Sequence, residues 1–420
     1  MKYSIKKRKF KENNYIYCLL TCGENLEKTI NIYKHFISRL IKYHGKFIIY
    51  SFNESKIKNN FRIYKLFKPK TLEIKNIKNS SQFLEEIKDK QLFAIDAIGR
   101  SILNFKERFL INKKNIHLIF IMNIGFISNE SYGEKIDINF RNQIFRLVKY
   151  LNKFFFRMLV LLNIFPRTKF YFDSRKQIVE KFNNSIVRRL IVKFSSLKFL
   201  LNYDEIEKIN CNAYEGYHKH KHKNKTGNII FIDGNYKHQD MLIRDGKKIL
   251  SNEKQYLSNL AKSLKILEKF FKKKVEIMLH PSTNFKDYKK LVPSFKIKKG
   301  NTDKKIYNSS IVIFHESSSV IDAVISKKKI ISFDTNLLGN YLKNRINLYK
   351  DEFKTFSIDI DNFFSISKSF QKKLFKEINA NSKELNKYRK NNLMSDGKTL
   401  PSDRVINKIE QFILEMERNK

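Results

Sequence analysis

The sequence of 420 residues predicts an α/β protein built from two doubly wound, Rossmann-like domains. Short β-rich segments alternate with segments whose apolar residues recur at helical spacing, which is the pattern of parallel βαβ units. The alternation occurs on both sides of the polar, basic stretch NAYEGYHKHKHKNKTGN, which ends at Asn228. We therefore predict one domain over residues 1–215 and a second over residues 226–400, with the two facing a cleft.

The amino-acid composition is that of a globular protein. Hydrophobic residues make up 42% of the chain and aromatic residues 14%, enough to form two buried cores. The three cysteines, Cys18, Cys22 and Cys211, make no disulfide framework, so we expect a reducing, cytoplasmic location. The N-terminal run YIYCLLT is too short for the core of a signal peptide and is predicted as the first buried strand.

The net charge of +44 suggests a polyanionic partner, such as nucleic acid or an anionic membrane surface. An AT-rich coding sequence explains the charge equally well, because Lys, Asn, Ile, Phe and Tyr are all abundant while Gly, Pro and Trp are scarce. The basic residues are spread along the whole chain, and no RRM, KH or zinc-finger pattern is present. We therefore do not expect a nucleic-acid partner, whereas an anionic membrane surface stays open.

The N-terminal half is predicted to contain the strands NYIYCLLT, KFIIYSF, LFAIDAI, IHLIFIMNI and KFYFDS. The segment NLEKTINIYKHFISRLIKYHG, after the first strand, is predicted as a helix. A further segment, FRNQIFRLVKYLNKFFFRMLVLLNIFP, is rich in Phe and Leu, but Arg146, Lys149, Lys153 and Arg157 exclude a transmembrane helix. We expect either a buried or interdomain helix or a basic amphipathic face that rests on a membrane.

The C-terminal half shows the alternation more clearly. Its predicted strands are NIIFID, VEIMLH, SIVIFHE and KIISFD. Its predicted helices are SNEKQYLSNLAKSLKILEKFFKK, TDKKIYNS and SSVIDAVISKK. In such a sheet, ligands bind beyond the carboxyl ends of the strands.

A histidine and a proline stand at one of these strand ends. His280 follows the strand VEIML, and Pro281 stops the strand because it cannot donate a ladder hydrogen bond. An imidazole in this place can donate to a phosphate oxygen. The alternative is an ordinary surface histidine at a strand terminus.

A serine run stands at a second strand end. The strand SIVIF is followed by His315 and Glu316, and the next helix opens with Ser317, Ser318 and Ser319. Hydroxyls and free N–H groups at a helix start form an anion site, although a serine there also serves as an ordinary N-cap. Together with the His-Pro pair, these residues predict a phosphate-binding crevice.

Two carboxylates are candidates for a general base. Asp233 ends the strand NIIFI, and Asp96 lies in AIDAIGR of the N-terminal half. Either could accept a proton from a substrate hydroxyl, and either could simply cap a loop.

Two patterns suggest a metal, and we expect neither to bind one. HKHKH, with His218, His220 and His222, is predicted as a solvated run in a polar linker. IDID, with Asp359 and Asp361, has the D-x-D form of metal-dependent glycosyltransferases but is predicted as the N-cap of a helix.

The His-Pro and serine motifs resemble those of bacterial GT-B glycosyltransferases of surface-polysaccharide synthesis, especially the sialyltransferases and some Kdo transferases. In those families the two motifs bind the nucleotide and phosphate of a CMP-activated acidic sugar. The resemblance assigns His280 and Pro281 to the first motif and Ser317–Ser319 to the second, and it covers roughly residues 229–338.

The resemblance implies metal-independent transfer of a sugar to a glycan or glycolipid acceptor at the inner face of the membrane. The nucleotide sugar would be a co-substrate, so no separate cofactor is expected. The N-terminal domain would bind the acceptor, the C-terminal domain the donor, and a helix within residues 401–420 would cross back to the first domain. One feature departs from the sialyltransferases, since their acidic-acidic-Gly motif has no clean counterpart in the N-terminal half.

Two alternatives stay open. The serine motif also resembles the CDP-glycerol-type glycerophosphotransferases of teichoic-acid synthesis, in which a polyol phosphate is transferred. A protein of another class, which binds nucleic acid or a membrane surface without catalysis, would account for the charge alone.

Overall fold

The structure is a computed structural model, and it describes eleven parts of the chain. These are residues 14–22, 26–52, 67, 71–77, 80–98, 102–122, 140–183, 203–220, 227–234, 253–280 and 283–419. The chain divides into two compact units, and the boundary between them is crossed at Asn210–Cys211 and again at Met394–Ser395.

The first unit contains a seven-stranded parallel sheet. Its strands are β1 (Tyr15–Thr21), β2 (Phe47–Ser51), β3 (Leu72–Asn76), β4 (Gln91–Ala97), β5 (Ile116–Ile121), β6 (Thr168–Asp173) and β7 (Tyr203–Lys208). The order across the sheet is β3-β2-β1-β4-β5-β6-β7, so the strand order reverses between β1 and β4. The described helices before residue 210 are α1 (Leu26–His44), α2 (Ser80–Ile87), α3 (Phe105–Leu110), α4 (Phe140–Leu161) and α5 (Lys176–Asn183).

The second unit contains a six-stranded parallel sheet. Its strands are β8 (Ile229–Ile232), β9 (Val275–Leu279), β10 (Lys296–Lys299), β11 (Ile311–Phe314), β12 (Lys329–Asp334) and β13 (Phe356–Asp359). Its described helices are α6 (Ala213–His220), α7 (Glu253–Phe271), α8 (Phe285–Leu291), α9 (Thr302–Asn308), α10 (Val320–Ile325), α11 (Asn340–Phe353) and α12 (Lys368–Tyr388). The order is β10-β9-β8-β11-β12-β13, which reverses between β8 and β11.

The central strands of both sheets are hydrophobic runs buried on both faces, as helix-covered parallel sheets require. In β1, Leu19 faces one core cluster, whereas Cys18 and Leu20 face another on the opposite side of the sheet. In the second sheet, Phe231 and Ile313 lie in a core that α7 helps to cover. The predicted fold class, two doubly wound α/β domains, is confirmed.

Helix α13 (Pro401–Arg418) belongs to the first unit, although it follows the second in sequence. Val405 and Ile409 are buried in the same core cluster as Leu19 of β1. Arg39 of α1 donates two hydrogen bonds to the carboxylate of Asp403, at 2.5 and 2.8 Å. The segment that follows the second unit thus completes the core of the first.

Helix α6 packs within the second unit, which takes in the chain from Cys211 to Met394. The hydroxyl of Tyr307 donates to the carbonyl oxygen of Ala213 at 2.8 Å, and the ring of His220 stacks on Tyr307. The prediction of a solvated histidine run is therefore wrong for His220, which is buried in α6, whereas His218 lies in the same helix and is exposed. His222 lies outside the described residues.

Helix α4 is present as predicted, but it is not a buried helix. Several of its large apolar side chains are exposed, among them Leu147 and Phe154. Within the described part of the chain, no helix is both long and apolar enough to span a bilayer.

Candidate functional site

The carboxyl ends of β8, β9 and β11 lie side by side at the point where the order of the second sheet reverses. In doubly wound sheets this switch point is where ligands bind, because the loops on its two sides diverge. The predicted residues Asp233, His280 and Glu316 each follow one of these strands. The sheet topology therefore brings the two predicted motifs to one edge.

Asp233 fixes the loop that follows β9. Its side chain is buried, and its Oδ2 accepts hydrogen bonds from Thr283 Oγ1 at 2.7 Å and from the backbone N–H of His280 at 3.3 Å. Its own N–H donates to the carbonyl oxygen of Met278 at 2.9 Å. The carboxylate thus positions His280, and its use as a general base stays a prediction.

His280 is half-buried directly after β9, and Pro281 lies outside the described residues. A second bond holds the same loop from the edge of the sheet, because Lys299 Nζ donates to the carbonyl oxygen of Thr283 at 3.1 Å. Sequence reasoning missed Thr283 and Lys299, since only the strand order shows that they meet.

Gly234 and Glu316 approach each other closely across the switch point. A Cβ atom on Gly234 would lie 2.3 Å from the backbone carbonyl oxygen of Glu316. No side chain fits at that distance, so the loops after β8 and β11 can approach only with glycine at this position. The IDG triplet was visible in the sequence, but the reason for its glycine was not.

The carboxylate of Glu316 is nearly buried and paired with Arg345 of α11. Arg345 Nε donates to Glu316 Oε1 at 2.9 Å, and Arg345 Nη2 contacts the same oxygen. The ion pair neutralises a negative charge that would otherwise repel a phosphate at this edge. Nothing in the sequence pattern points to Arg345, which is brought to Glu316 by the packing of α11.

The serine run only partly fits the predicted N-cap. Ser317 Oγ accepts from the N–H of Ser319 at 3.3 Å, whereas the Ser319 side chain makes no cap hydrogen bond to α10. Ser318 is exposed, and Ser317 and Ser319 are half-buried. The hydroxyl of Ser319 is therefore not consumed in capping the helix.

His315, next to the site, is part of the core. Its Nδ1–H donates to the carbonyl oxygen of Phe333 at 2.8 Å, and its ring lies edge-on to Phe231. Burial lowers the pKa of His315 to about 4, so the ring is neutral near pH 7. It positions β11 against β12 and does not offer a charged ligand to a phosphate.

Asp96 lies in the first unit, within β4. Its carboxylate accepts two hydrogen bonds from the guanidinium of Arg108, at 2.8 and 3.0 Å, and one from the N–H of Ile98 at 3.1 Å. Both side chains of the pair are buried. These three donors occupy most of its acceptor sites, and its role as a base stays a prediction.

The two D-x-D aspartates stabilise a turn. Asp361 accepts from the hydroxyl of Thr335 at 2.8 Å, and Asp359 accepts from the N–H of Asp361 at 3.0 Å. The predicted N-cap was wrong, because α12 is capped by Ser367, whose Oγ accepts from the N–H of Phe370 at 3.1 Å. Among the residues that the structure describes, no group of three His, Cys, Asp or Glu side chains could hold a metal.

No protein-family model matches the sequence, and no curated protein matches it. Among solved structures, the chain is similar to the wall teichoic acid polymerase TagF, with 13% identity, a TM-score of 0.51, and coverage of 98% of this chain and 92% of the other. It is also similar to the UDP-GlcNAc 2-epimerase of Neisseria meningitidis, with 10% identity, a TM-score of 0.47, and coverage of 95% and 100%. For MurG of Acinetobacter baumannii the identity is 9%, the TM-score 0.45, and the coverage 95% and 99%. The match to TagF, at this identity, shows the fold alone, and that fold is GT-B-like.

Proposed function

We propose that the chain is a glycosyltransferase of surface-polysaccharide biosynthesis, acting in capsule or lipopolysaccharide assembly. Its donor would be a CMP-activated acidic sugar, sialic acid-like or Kdo, and its acceptor a glycan or glycolipid. The observation that carries the proposal is the convergence of His280 and the Ser317–Ser319 loop on the switch point of the second sheet. The motif resemblance and the GT-B-like fold support it.

In this proposal, the imidazole of His280 and the hydroxyls of Ser318 and Ser319 bind the donor phosphate and stabilise its charge as it leaves. The acceptor oxygen forms a bond to the anomeric carbon, the bond from that carbon to the phosphate oxygen breaks, and CMP departs with the bonding electrons. The acceptor proton passes to a carboxylate base, for which Asp233 and Asp96 are the predicted candidates. Asp233 also acts as a positioning residue, since it holds the backbone of His280.

We further propose that the transfer is metal-independent, because the carboxylates at this edge already have partners. Asp233 accepts from Thr283, and Glu316 is paired with Arg345. The groups proposed to bind the phosphate are an imidazole and hydroxyls, which bind it by donating hydrogen bonds.

Thermal-shift titration with CMP, CDP, UDP and GDP tests the proposal. We expect CMP to stabilise the protein by about 2.7 kcal/mol at about 100 times its dissociation constant. His280→Ala should remove this response, whereas the matched control His35→Ala, a half-buried histidine of α1, should keep it. An equal response to all four nucleotides, or a full response in His280→Ala, would contradict a cytidine site at this edge.

A second candidate is a CDP-glycerol-type glycerophosphotransferase, which the serine motif and the fold similarity to the teichoic acid polymerase favour. The transferred group would then be glycerol phosphate, and CMP would again be the product. Turnover assays with CDP-glycerol and with a CMP-activated acidic sugar separate the two candidates. Only for the true donor should CMP be released faster in the presence of the acceptor than in its absence, where hydrolysis alone releases it.

We also propose that the enzyme binds the surface of an anionic membrane through the first unit. Helix α4 carries an exposed apolar stripe, with Leu147, Leu151, Phe154 and Met158 at helical spacing. Soluble proteins normally turn such a stripe inward, so its exposure over this length marks an interaction site.

The apolar stripe continues on the neighbouring segment. Leu103 lies in a short helical turn (Ile102–Asn104) and Phe109 lies in α3, and both are exposed. Phe105 packs on Phe165, beyond the end of α4. Lys106, Lys153 and Arg157 are exposed among these apolar residues. Basic side chains that border an exposed apolar surface match the charge of anionic headgroups over a hydrocarbon boundary.

Vesicle flotation tests the membrane proposal. Phe109→Ser should weaken binding to phosphatidylglycerol-containing vesicles about tenfold, because one large apolar side chain no longer enters the bilayer. Phe364→Ser, which removes a phenyl group of similar exposure from the second unit, is the matched control and should bind as the wild type does. Equal losses in both variants, or equal binding to purely zwitterionic vesicles, would contradict the proposed surface.

A further inference from the structure

A pocket lined by four lysines lies at the outer end of the candidate site. Its volume is about 470 Å³, and it is lined by Phe285, Ile297, Lys298, Lys299, Gly300, Asn301, Lys304, Lys305 and Asn308. None of these residues is acidic. The volume falls within the range of small-ligand pockets, roughly 300–1,000 Å³.

A tight turn creates this concentration of charge. Gly300 and Asn301, between β10 and α9, are both left-handed, with φ of 83° and 53°. Two such residues in succession reverse the chain directly after the strand. Lys298 and Lys299 at the end of β10 therefore face the same pocket as Lys304 and Lys305 of α9.

Most of this charge is not neutralised within the described part of the chain. Glu276 pairs with Lys305 at 2.9 Å and with Lys296 at 3.5 Å. No described carboxylate forms an ion pair with Lys298, Lys299 or Lys304. The crowding has an electrostatic consequence, since the neighbouring ammonium groups of Lys305 and Lys296 lower the pKa of Lys298.

Protection of a sheet edge is one established use of lysines on an outer strand such as β10. It accounts for lysines along the strand, but not for Lys304 and Lys305 on a helix that faces the same pocket. Nor does it account for Phe285, whose ring is partly exposed at the pocket wall. Ammonium groups, two asparagine amides and an aromatic face together match a sugar unit that carries phosphate or carboxylate groups.

The pocket adjoins the proposed donor site along the same edge. In the sheet, β10 is next to β9, which is next to β8, so the carboxyl end of β10 lies roughly 10 Å from that of β8. Lys299 links the two regions directly, because it donates to the loop that Asp233 positions. A polymer bound in the pocket would thus lie beside the donor phosphate.

We infer that this lysine pocket binds anionic repeat units of the glycan acceptor, with phosphate or carboxylate groups contacting Lys298, Lys299 and Lys304. The inference rests on the proposed glycosyltransferase function and adds to it the chemical class of the acceptor. It places part of the acceptor site on the second unit, whereas the motif resemblance implied the N-terminal domain. An acceptor held in this way would be polyanionic, and the excess basic charge of this unit would then have a specific use at this pocket.

Calorimetric titration of the full chain with short inorganic polyphosphate, as a probe of closely spaced anionic groups, tests the inference. Lys298→Gln/Lys304→Gln should bind polyphosphate at least about tenfold more weakly than the wild type. The matched control is Lys262→Gln/Lys269→Gln, which removes the same charge from exposed positions of α7. It should stay within about twofold of the wild type, since nonspecific charge alone changes little.

Three results would overturn the inference: equal weakening in both double variants, competition by monomeric phosphate as effective as that by the polymer, or equally tight binding of single-stranded RNA that the pocket variant also loses. The first would show diffuse charge, the second a site for a free anion, and the third a nucleic-acid site.

The CMP thermal shift, measured on the same variants, keeps the two proposals apart. Its absence from the wild type would remove the donor site, whereas its persistence in the pocket variant alongside unchanged polyphosphate binding would remove only the acceptor pocket.

Discussion

At the carboxyl edge of the first sheet, the side chains of Asp96 and Arg108 form an ion pair that is 0% and 2% exposed. At the edge of the second sheet, Glu316 and Arg345 form a pair that is 8% and 19% exposed. Both pairs stand beside the reversal in strand order, because β4 adjoins β1 as β11 adjoins β8. The same topology therefore carries a carboxylate-arginine pair twice, once sealed in the interior and once next to half-buried serines.

The two edges differ in how far solvent reaches the ion pair. The first pair spends its hydrogen bonds on itself and on the backbone at Ile98. The second pair leaves His280 and Ser318 in reach of solvent while it removes a repulsive charge. An ion pair sealed from water affects stability alone, and only while both partners are present. A partly exposed pair also changes the electrostatic potential at the surface beside it.

The largest expected effect separates the two pairs. Arg108→Met should lower the free energy of unfolding by about 3–5 kcal/mol, because it leaves the carboxylate of Asp96 buried and unpaired. Arg345→Met should cost less, about 1.5–3 kcal/mol, since water can reach Glu316 more easily. Urea unfolding measures both. Equal losses would show that the difference in burial does not decide what each pair contributes to stability. The double variant Asp96→Asn/Arg108→Met should recover part of the first loss.

Gly234→Ala tests the close approach across the second edge. Its Cβ would meet a backbone oxygen at 2.3 Å, so we expect a loss of about 1–3 kcal/mol in stability and a weaker CMP response. Gly216→Ala is the comparison, because its Cβ would meet the side-chain hydroxyl of Tyr307 at 2.9 Å, away from the edge. Calorimetric unfolding with and without CMP distinguishes them, and an unchanged nucleotide response in Gly234→Ala would contradict the role of that contact.

The buried His315 predicts an acid-sensitive second edge. Its pKa is about 4 in the folded state and 6.5 in the unfolded state, so between these values only the unfolded state binds the proton. Stability contributed by the neutral ring is complete above pH 6.5 and falls as the pH drops toward 4, by about 1.4 kcal/mol at pH 5.5. Unfolding midpoints at pH 6.5 and at pH 5.5, in the wild type and in His315→Gln, measure the effect. The same pH dependence in the variant would assign it to other groups.

The smallest expected effect concerns the loop after β9. Thr283→Val keeps the shape of the side chain but removes the hydrogen bond to Asp233, which should cost about 1 kcal/mol and weaken CMP binding several-fold. Thr335→Val removes a comparable bond, to Asp361, and should reduce stability alone. Nucleotide titration of the two variants provides the test, and equal CMP affinities would show that the bond between Thr283 and Asp233 is not needed to hold His280 for nucleotide binding.

The strands that sequence reasoning missed all lie at sheet edges within the described chain. They are β3 and β7 in the first sheet and β10 and β13 in the second. Central strands such as FIIYS are hydrophobic on both faces and stand out, whereas the edge strands LEIKN, YDEIEK and KIKK carry charges that protect an exposed edge. Such a segment can be distinguished from a loop only when the neighbouring strand that it pairs with is known.

The positions of the candidate site residues could be predicted where they follow a central strand. His280, Glu316 and the serines could be placed because each follows a strong central strand. Thr283, Arg345 and Lys299 could not, because their partners lie far away in the sequence and meet them only through the packing of loops and helices. The sequence also could not show that Asp96 is paired, since its guanidinium partner lies on a separate helix.

The position of α13 sets the order in which the protein can fold during synthesis. The first unit lacks Val405, Ile409 and the Asp403 partner of Arg39 until residues 401–418 have been translated. At about 5–20 residues per second, the 210 residues that follow position 210 take roughly 10–40 s to emerge, and the second unit can complete its core in that interval. The first unit is therefore synthesised first but completes its fold last, because part of its apolar core forms only after α13 has left the ribosome.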